Sequence, residues 1–293
     1  MSIPGGTGPR INDSVDDAIL RAGAAIAGCY KRKATFACVA QRQLSDCVRA
    51  ITRIAKCCCV WINITRIMAA AAAAALHSLL ALENGFCERC ARPHNINEHM
   101  GVLRALASQC THVTEAGVEG VFSSYAFATG LLNGGGTGKK LVQIDPVKSS
   151  AVDAFGELAR RCGIECVFYN MSDLDSPLEN TDLLFIDTWH VYGHLKRELA
   201  RWHTYVARYI VLHDTTVDAD VGESIRMRMN VTAQQASSGY PLQEIMSGIW
   251  KAVEEFLADR PEWTLLYRFA HNNGLTVLRR IEAKAVTDVA AVV

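Results

Sequence analysis

The sequence has no surplus of charge of either sign. Its 30 lysines and arginines stand against 30 aspartates and glutamates, and no basic block stands out. The usual electrostatic reason to expect nucleic acid or an anionic membrane as partner is therefore missing, and neither is expected. A cleavable signal pattern is also lacking. The 11 cysteines are odd in number and include the consecutive triplet Cys57, Cys58 and Cys59, which no secreted disulfide framework would use. A reducing, cytoplasmic setting is the expectation. No long apolar run is free of interruption: the most apolar window, Ile62 to Leu82, holds Arg66, His77 and the run Ala69 to Ala75. Alanine contributes little to membrane insertion, so this window reads as a helix packed in protein. With 50% of 293 residues hydrophobic, long disorder is not expected away from the ends, and there is chain enough for a full core.

What is present divides into two parts. Residues 1 to about 13 are rich in glycine and proline, and Val15 to Leu82 is rich in Ala, Ile, Arg and Cys with few breakers. We read residues 1–94 as a helical, Cys- and Ala-rich extension: a helical cap, an oligomerisation arm through which the chain forms a homo-oligomer, or a loose segment. Cys87, Cys90, His94 and His99 offer metal-capable atoms, but a structural zinc site usually separates its ligand pairs by a dozen or more residues. They read as incidental residues at a boundary.

From Asn95 the rhythm becomes regular. Asn97 can cap a helix through Met100, Leu103 and Leu106. Short apolar strands are predicted at His112 to Ala116, Leu141 to Ile144, Cys166 to Tyr169, Leu183 to Ile186 and Tyr209 to Leu212. Helices fall between them, at Gly120 to Leu132, at Ser150 to Cys162, and through Leu195, Leu199, Trp202 and Val206. Lys196, Arg197, Glu198 and Arg201 lie on the other side of that last helix, and His194 and His203 are expected to be solvated. A polar stretch without a period runs to about Pro241, as a lid or substrate loop would. Helix returns from Gln243 to Leu257. Thr264 to Phe269 and Leu275 to Leu278 then form a hairpin through Asn272-Asn273-Gly274, and 282–293 is a tail. The fold class is α/β: a doubly wound, mostly parallel seven-stranded sheet over 95–281, closed by a C-terminal antiparallel hairpin.

Open sheets of this kind bind ligands beyond the carboxyl ends of their strands. Glu115-Ala-Gly117-Val118-Glu-Gly120 lies between the first strand and its helix, where glycines let a backbone approach a ligand. Asp145 ends the next strand and can accept both hydroxyls of a ribose; Asp173, with Ser172, could accept from an adenine amino group. Asp187 and Asp214 end neighbouring strands, so their carboxylates can converge on Mg²⁺ or Mn²⁺, and His213 can add a nitrogen. His190, three residues past Asp187, is placed to act as a general base.

The runs FIDTWHVYGHLKRELARW, YIVLHDT, GIWKAVEEFLADRPEW and NNGLTVL, with HVTEAGVEGVFSSYAFATGL before them, resemble class I S-adenosylmethionine-dependent methyltransferases. The nearest branch is that of cephalosporin-hydroxylase-type and macrocin-type sugar O-methyltransferases. The resemblance covers about Asn95 to Ile281 and implies a Rossmann-like methyltransferase fold. It also implies S-adenosylmethionine held by Glu115, Gly117, Val118, Gly120, Asp145 and Asp173, and a cation on Asp187, His213 and Asp214. His190 would be the base, and a sugar or small-molecule hydroxyl the acceptor. Where the branch usually has an acid this chain has His213, and the glycine loop lacks a third glycine. A noncatalytic binding module and, less readily, an NAD(P)-dependent oxidoreductase are the alternatives. The terminal hairpin and the absence of a full GxGxxG argue against the second.

Overall fold

A computed structural model describes residues 59–281; the expectations for residues 1–58 and 282–293 lie outside the described residues. In chain order the elements are α1 (Cys59–Ala91), a 3₁₀ turn (Asn97–His99), α2 (Met100–Ala107), β1 (His112–Ala116), α3 (Phe122–Asn133), β2 (Lys140–Ile144), α4 (Ser150–Arg161) and β3 (Glu165–Tyr169). There follow β4 (Thr181–Ile186), α5 (Tyr192–Trp202), β5 (Val206–His213), α6 (Glu223–Arg226), α7 (Val231–Ser238), α8 (Leu242–Met246), α9 (Trp250–Asp259), β6 (Trp263–Phe269) and β7 (Leu275–Arg280).

The strands form one seven-stranded sheet in the order β3-β2-β1-β4-β5-β7-β6. β1 to β5 run parallel, and β7 enters antiparallel between β5 and β6. The chain therefore reverses direction across the sheet between β1 and β4, and the loops leaving those strands share one edge. The apolar runs alternate between two cores, as covered faces demand. Val113, Leu183, Phe185 and Val211 join one core with Leu103, Phe127 and Phe155. Leu184, Ile186, Ile210 and Leu212 join the other with Leu199, Trp202 and Val253. The expected hairpin turn is present, with Asn272, Asn273 and Gly274 at φ 48°, 65° and 99°.

Four local readings are corrected. The helix expected from Gly120 starts at Phe122, because Glu119 and Val121 take φ of 41° and 57°. The helix expected over Gln243 to Leu257 breaks between α8 and α9. A Cβ on Gly248 would lie 2.2 Å from the Ala219 carbonyl oxygen, and Ser247 bridges to Val221. The polar stretch before it carries two short helices, α6 and α7. Finally, Glu198, His194 and His203 are buried rather than solvated.

Among its described side chains, α1 meets the sheet domain through its last turns. Ser78, Leu82 and Phe86 are buried, whereas Ile67, Met68 and most of the alanine run are exposed, so the reading of this window as packed in protein holds for its end alone. Arg66–Ala91 is long and apolar enough to cross a membrane by length and composition.

Candidate active site

Four loops converge at the carboxyl edge, and their backbones are tied to one another before any side chain acts. The Gly117 amide donates to the Ile144 carbonyl at 2.9 Å, joining the ends of β1 and β2. The Asp187 amide donates to the Ala116 carbonyl at 2.8 Å, joining β1 and β4. Gly117 sits at φ 85°, and a Cβ there would fall 1.8 Å from the Asp187 carbonyl oxygen. The glycine is required by that close approach and by its left-handed backbone. At Gly120, by contrast, a Cβ would meet nothing within 4 Å.

Asp145 organises the same loop. Its Oδ2 accepts from the Val118 and Glu119 amides at 2.9 and 3.1 Å, and its Oδ1 from Val147 at 2.8 Å. A carboxylate offers about four lone-pair sites, so capacity remains for further donors. Val118 turns its side chain into the core. Glu115 is fully buried, and its carboxyl accepts from Ser123, from Ser124 at 2.7 Å and from Gln143 at 3.0 Å. It braces the loop from beneath.

Burial pushes the Glu115 carboxyl up to about 7, against the three hydrogen bonds that favour its charged form. Its folded pKa thus exceeds the unfolded value of about 4.3. As pH rises from about 4.3 to 7 the unfolded chain gives up this proton while the folded one keeps it, so stability falls across that window. The full difference is on the order of 3 kcal/mol. Chemical denaturation at pH 5 and pH 8 should show Glu115→Gln gaining on the parent by about that amount at the higher pH. Equal pH dependence in the two proteins would rule out the shift.

Beside this loop Asp187, His190, His213 and Asp214 come together. His190 Nε2 is 3.2 Å from Asp187 Oδ1, and Nδ1 is 3.3 Å from Asp214 Oδ2. His213 Nδ1 is 3.2 Å from one oxygen of each aspartate. Asp187, His190 and Asp214 each offer an atom within 4.8 Å of the others'. His213 Nδ1 and Asp187 Oδ1 are hydrogen-bonded, whereas the other contacts are ones of charge: both ring nitrogens of His190 and Asp214 Oδ1 are buried with no hydrogen-bond partner of good geometry. His213 is more telling. Its Nε2 lies 3.0 Å from the Asn95 carbonyl, which can only accept, so Nε2 carries a hydrogen. Nδ1 then faces two carboxylates either as part of an imidazolium or as a lone pair directed at a cation.

The electrostatics agree. Burial alone would raise the Asp187 pKa, but the charge of His213, the close contact of His190 and the hydrogen bond from His213 hold it well below the usual range. Burial lowers the pKa of His190, yet its close contacts with the Asp187 and Glu223 carboxylates and the charge of Asp214 raise it well above the ordinary value. The Asp214 pKa is raised by burial against the charges of His190 and His213.

Sequence reasoning missed Asp218 and Glu223. Asp218 lies 3.8 Å from His190 Nδ1 and is paired with Arg226 at 2.5 and 2.8 Å; Glu223 lies 3.6 Å from the same nitrogen. The one available signal was the run of acids after β5, with no period to aim them. Of the expected residues, Asp173 is not brought to this edge as an exposed acceptor. It is buried, with Oδ1 3.3 Å from His194 Nε2, and Ser172 caps its own turn at Leu174. His94 stacks on Phe122 at 3.8 Å, and His99 holds the His271 and Asn272 carbonyls, each at 3.1 Å. Cys87 and Cys90 lie in the last turns of α1 against the core.

No protein-family model matches the chain, and no curated protein does. Solved structures similar to it include an O-methyltransferase from Bacillus cereus in complex with SAH, 12% identical, covering 70% of this chain and 90% of that one with a TM-score of 0.42. An SAH-bound methyltransferase from Podospora anserina is 13% identical, covering 74% and 95%, with a TM-score of 0.40. A ribosomal protein L11 methylase from Lactobacillus delbrueckii subsp. bulgaricus is 13% identical, covering 63% and 80%, with a TM-score of 0.36. At such identities a likeness is one of fold, and the chemistry has to be read from this chain's own residues.

Proposed function

We propose that the chain is an S-adenosylmethionine-dependent O-methyltransferase acting on a hydroxyl of a sugar or another small molecule with the help of a divalent cation. One observation carries this reading: the glycine loop with Asp145 and the Asp187–His190–His213–Asp214 cluster share a wall, the contact between Gly117 and the Asp187 backbone. A methyl donor bound over the loop would therefore lie beside groups able to bind and deprotonate an acceptor.

Each part has its task. The open side of Gly120 and the free lone pairs of Asp145 suit the nucleoside of S-adenosylmethionine. The donor set suits a metal, because His213 Nδ1 is directed at two carboxylates while its other nitrogen is held by Asn95, and Asp214 Oδ1 is buried without a hydrogen bond. Asp187, His213 and Asp214 would hold Mg²⁺ or Mn²⁺, which lowers the pKa of a hydroxyl and orients it. With Asp187 and Asp214 so committed, His190 loses two of the charges that keep it protonated and can accept the acceptor's proton. The sulfonium methyl is already electrophilic, so positioning and deprotonation are what the protein contributes.

The test is calorimetric titration of S-adenosylmethionine into the purified protein, with Mg²⁺ and then with EDTA. Micromolar binding is expected, weakened at least tenfold in Asp145→Ala. Absence of binding to folded protein under both conditions would overturn the reading and leave a noncatalytic module of the same fold.

A further inference from the structure

A second group of metal-capable side chains lies behind α5, outside the site described above. His194 and Glu198 are four residues apart on α5 and so share a face. Asp173 reaches them from the loop between β3 and β4. His194 Nε2 is 3.3 Å from Asp173 Oδ1 and 3.6 Å from Glu198 Oε1, and the three residues each offer a ligand atom within 4.8 Å of the others'. All three are at least nine-tenths buried, with relative exposures of 5%, 9% and 1% for Asp173, His194 and Glu198.

Two features separate this group from an ordinary buried ion pair. Asp173 Oδ2 and Glu198 Oε2 are buried and accept from no surrounding donor; the two acids lie against each other, although their side chains are otherwise anchored. The remaining atoms are held as ligands are held by surrounding groups. Thr188 donates to Glu198 Oε1 at 2.6 Å, and Tyr240 hydroxyl lies 3.2 Å from His194 Nδ1, which leaves Nε2 turned towards the two acids. Tyr240 is itself fixed by Trp189, stacked at 5.7 Å, and by Arg197, 3.9 Å above its ring. Arg197 is engaged with Glu244 at 2.6 Å, and Arg201 donates to the Ser176 carbonyl, so neither neutralises the carboxylate pair. Two carboxylates against one imidazole leave a buried deficit of positive charge, which a shared proton or a cation must fill.

We propose that Asp173, His194 and Glu198 form a second site for a divalent transition metal such as Mn²⁺ or Zn²⁺. One imidazole and two carboxylates, with positions left open, are a donor set such ions accept. A small cavity lined by Thr188, Trp189, His190, Leu195, Glu198 and His213 lies between the two clusters, touching Glu198 of one and His190 and His213 of the other. The second metal ties the β3–β4 loop to α5 and, through His194 and Tyr240, to the segment that precedes α8.

Equilibrium dialysis of the full chain against Mn²⁺, and separately Zn²⁺, followed by metal analysis, tests this directly. Two ions per chain are expected for the parent, one for Glu198→Gln, one for Asp214→Asn and none for the double variant. Glu198→Gln keeps the size of the side chain and the oxygen that accepts from Thr188. Should it fail to fold, the Asp214→Asn protein alone suffices: it should still bind one ion and melt at a higher temperature with Zn²⁺ than with EDTA. If Asp214→Asn binds no ion, or if Glu198→Gln leaves the count unchanged, the three residues share a proton and the proposal is overturned. Failure of the Asp187–Asp214 site instead would show as one ion per chain, lost in Glu198→Gln and kept in Asp214→Asn.

Discussion

Gly117→Ala is expected to lower the melting temperature by about 10 °C or more, while Gly120→Ala, three residues on, should leave it within about 2 °C. The two glycines stand in the same loop and look equivalent in sequence. At Gly117 two penalties act together. An alanine at φ 85° costs roughly 1–2 kcal/mol for its left-handed backbone. Its Cβ would also fall 1.8 Å from the Asp187 carbonyl oxygen, a backbone atom that cannot swing aside. Relief requires β1 and β4 to part at their carboxyl ends, where the Asp187 amide bonds to Ala116, so the sum is on the order of 3–5 kcal/mol. At Gly120 neither penalty exists: the new methyl meets nothing within 4 Å. If S-adenosylmethionine lies there, that methyl occupies its space, and Gly120→Ala should lose tenfold or more in cofactor affinity at unchanged stability. Parallel thermal melts and titrations separate the two roles. Equal loss of stability in both variants would mean that the close approach of Gly117 to Asp187 is not a feature of the folded protein.

That contrast also marks what the sequence could and could not reveal. Strand positions were legible because each apolar run alternates between two cores, so composition and period agree. Leu183 and Phe185 face one core, Leu184 and Ile186 the other. The hairpin was legible because Asn-Asn-Gly supplies three left-handed residues in a row. The carboxyl-edge residues Asp187, His190, His213 and Asp214 were legible for a topological reason: in a parallel sheet, strand ends are neighbours whatever the loops do. Side-chain direction was not legible. Glu198, His194 and His203 look polar and exposed on a helical projection, yet all are buried. Their covers come from distant parts of the chain: Tyr240, ahead of α8, lies on His194, Asp173 of the β3–β4 loop stands against Glu198, and Phe256 of α9 packs on His203. The stretch from the end of β5 through α6 carries Asp218 and Glu223, which reach His190 where the chain folds back to bridge Val221 with Ser247. Glu115 is the opposite case. It stands in the motif expected to hold a cofactor, but its pleat position turns it inward to Ser123, Ser124 and Gln143.

Asp214→Asn should weaken Mn²⁺ binding at the Asp187–Asp214 site by about a hundredfold or more while changing the stability of the metal-free protein by less than about 1 kcal/mol. Asparagine is the informative replacement because Asp214 sits at φ 55°. Asn and Asp tolerate that region, whereas alanine would add a backbone cost that could be mistaken for an effect on the metal. The metal-free protein should tolerate the change because burial already raises the Asp214 pKa, and its Oδ1 is buried without a hydrogen bond. The ion does not tolerate it: a neutral amide replaces one of two anionic ligands, and the remaining anion, Asp187, is shared with His190 and His213. Titration of Mn²⁺ by calorimetry or by its paramagnetic resonance signal reads the affinity, and denaturant melts with EDTA read the stability. If Mn²⁺ affinity is unchanged, the carboxylates at the ends of β4 and β5 serve to hold His190 and His213 as imidazolium ions. His190 would then be a fixed positive charge and not the base, and an acceptor hydroxyl would need its proton removed by Glu223, the acid that lies 3.6 Å from the same ring.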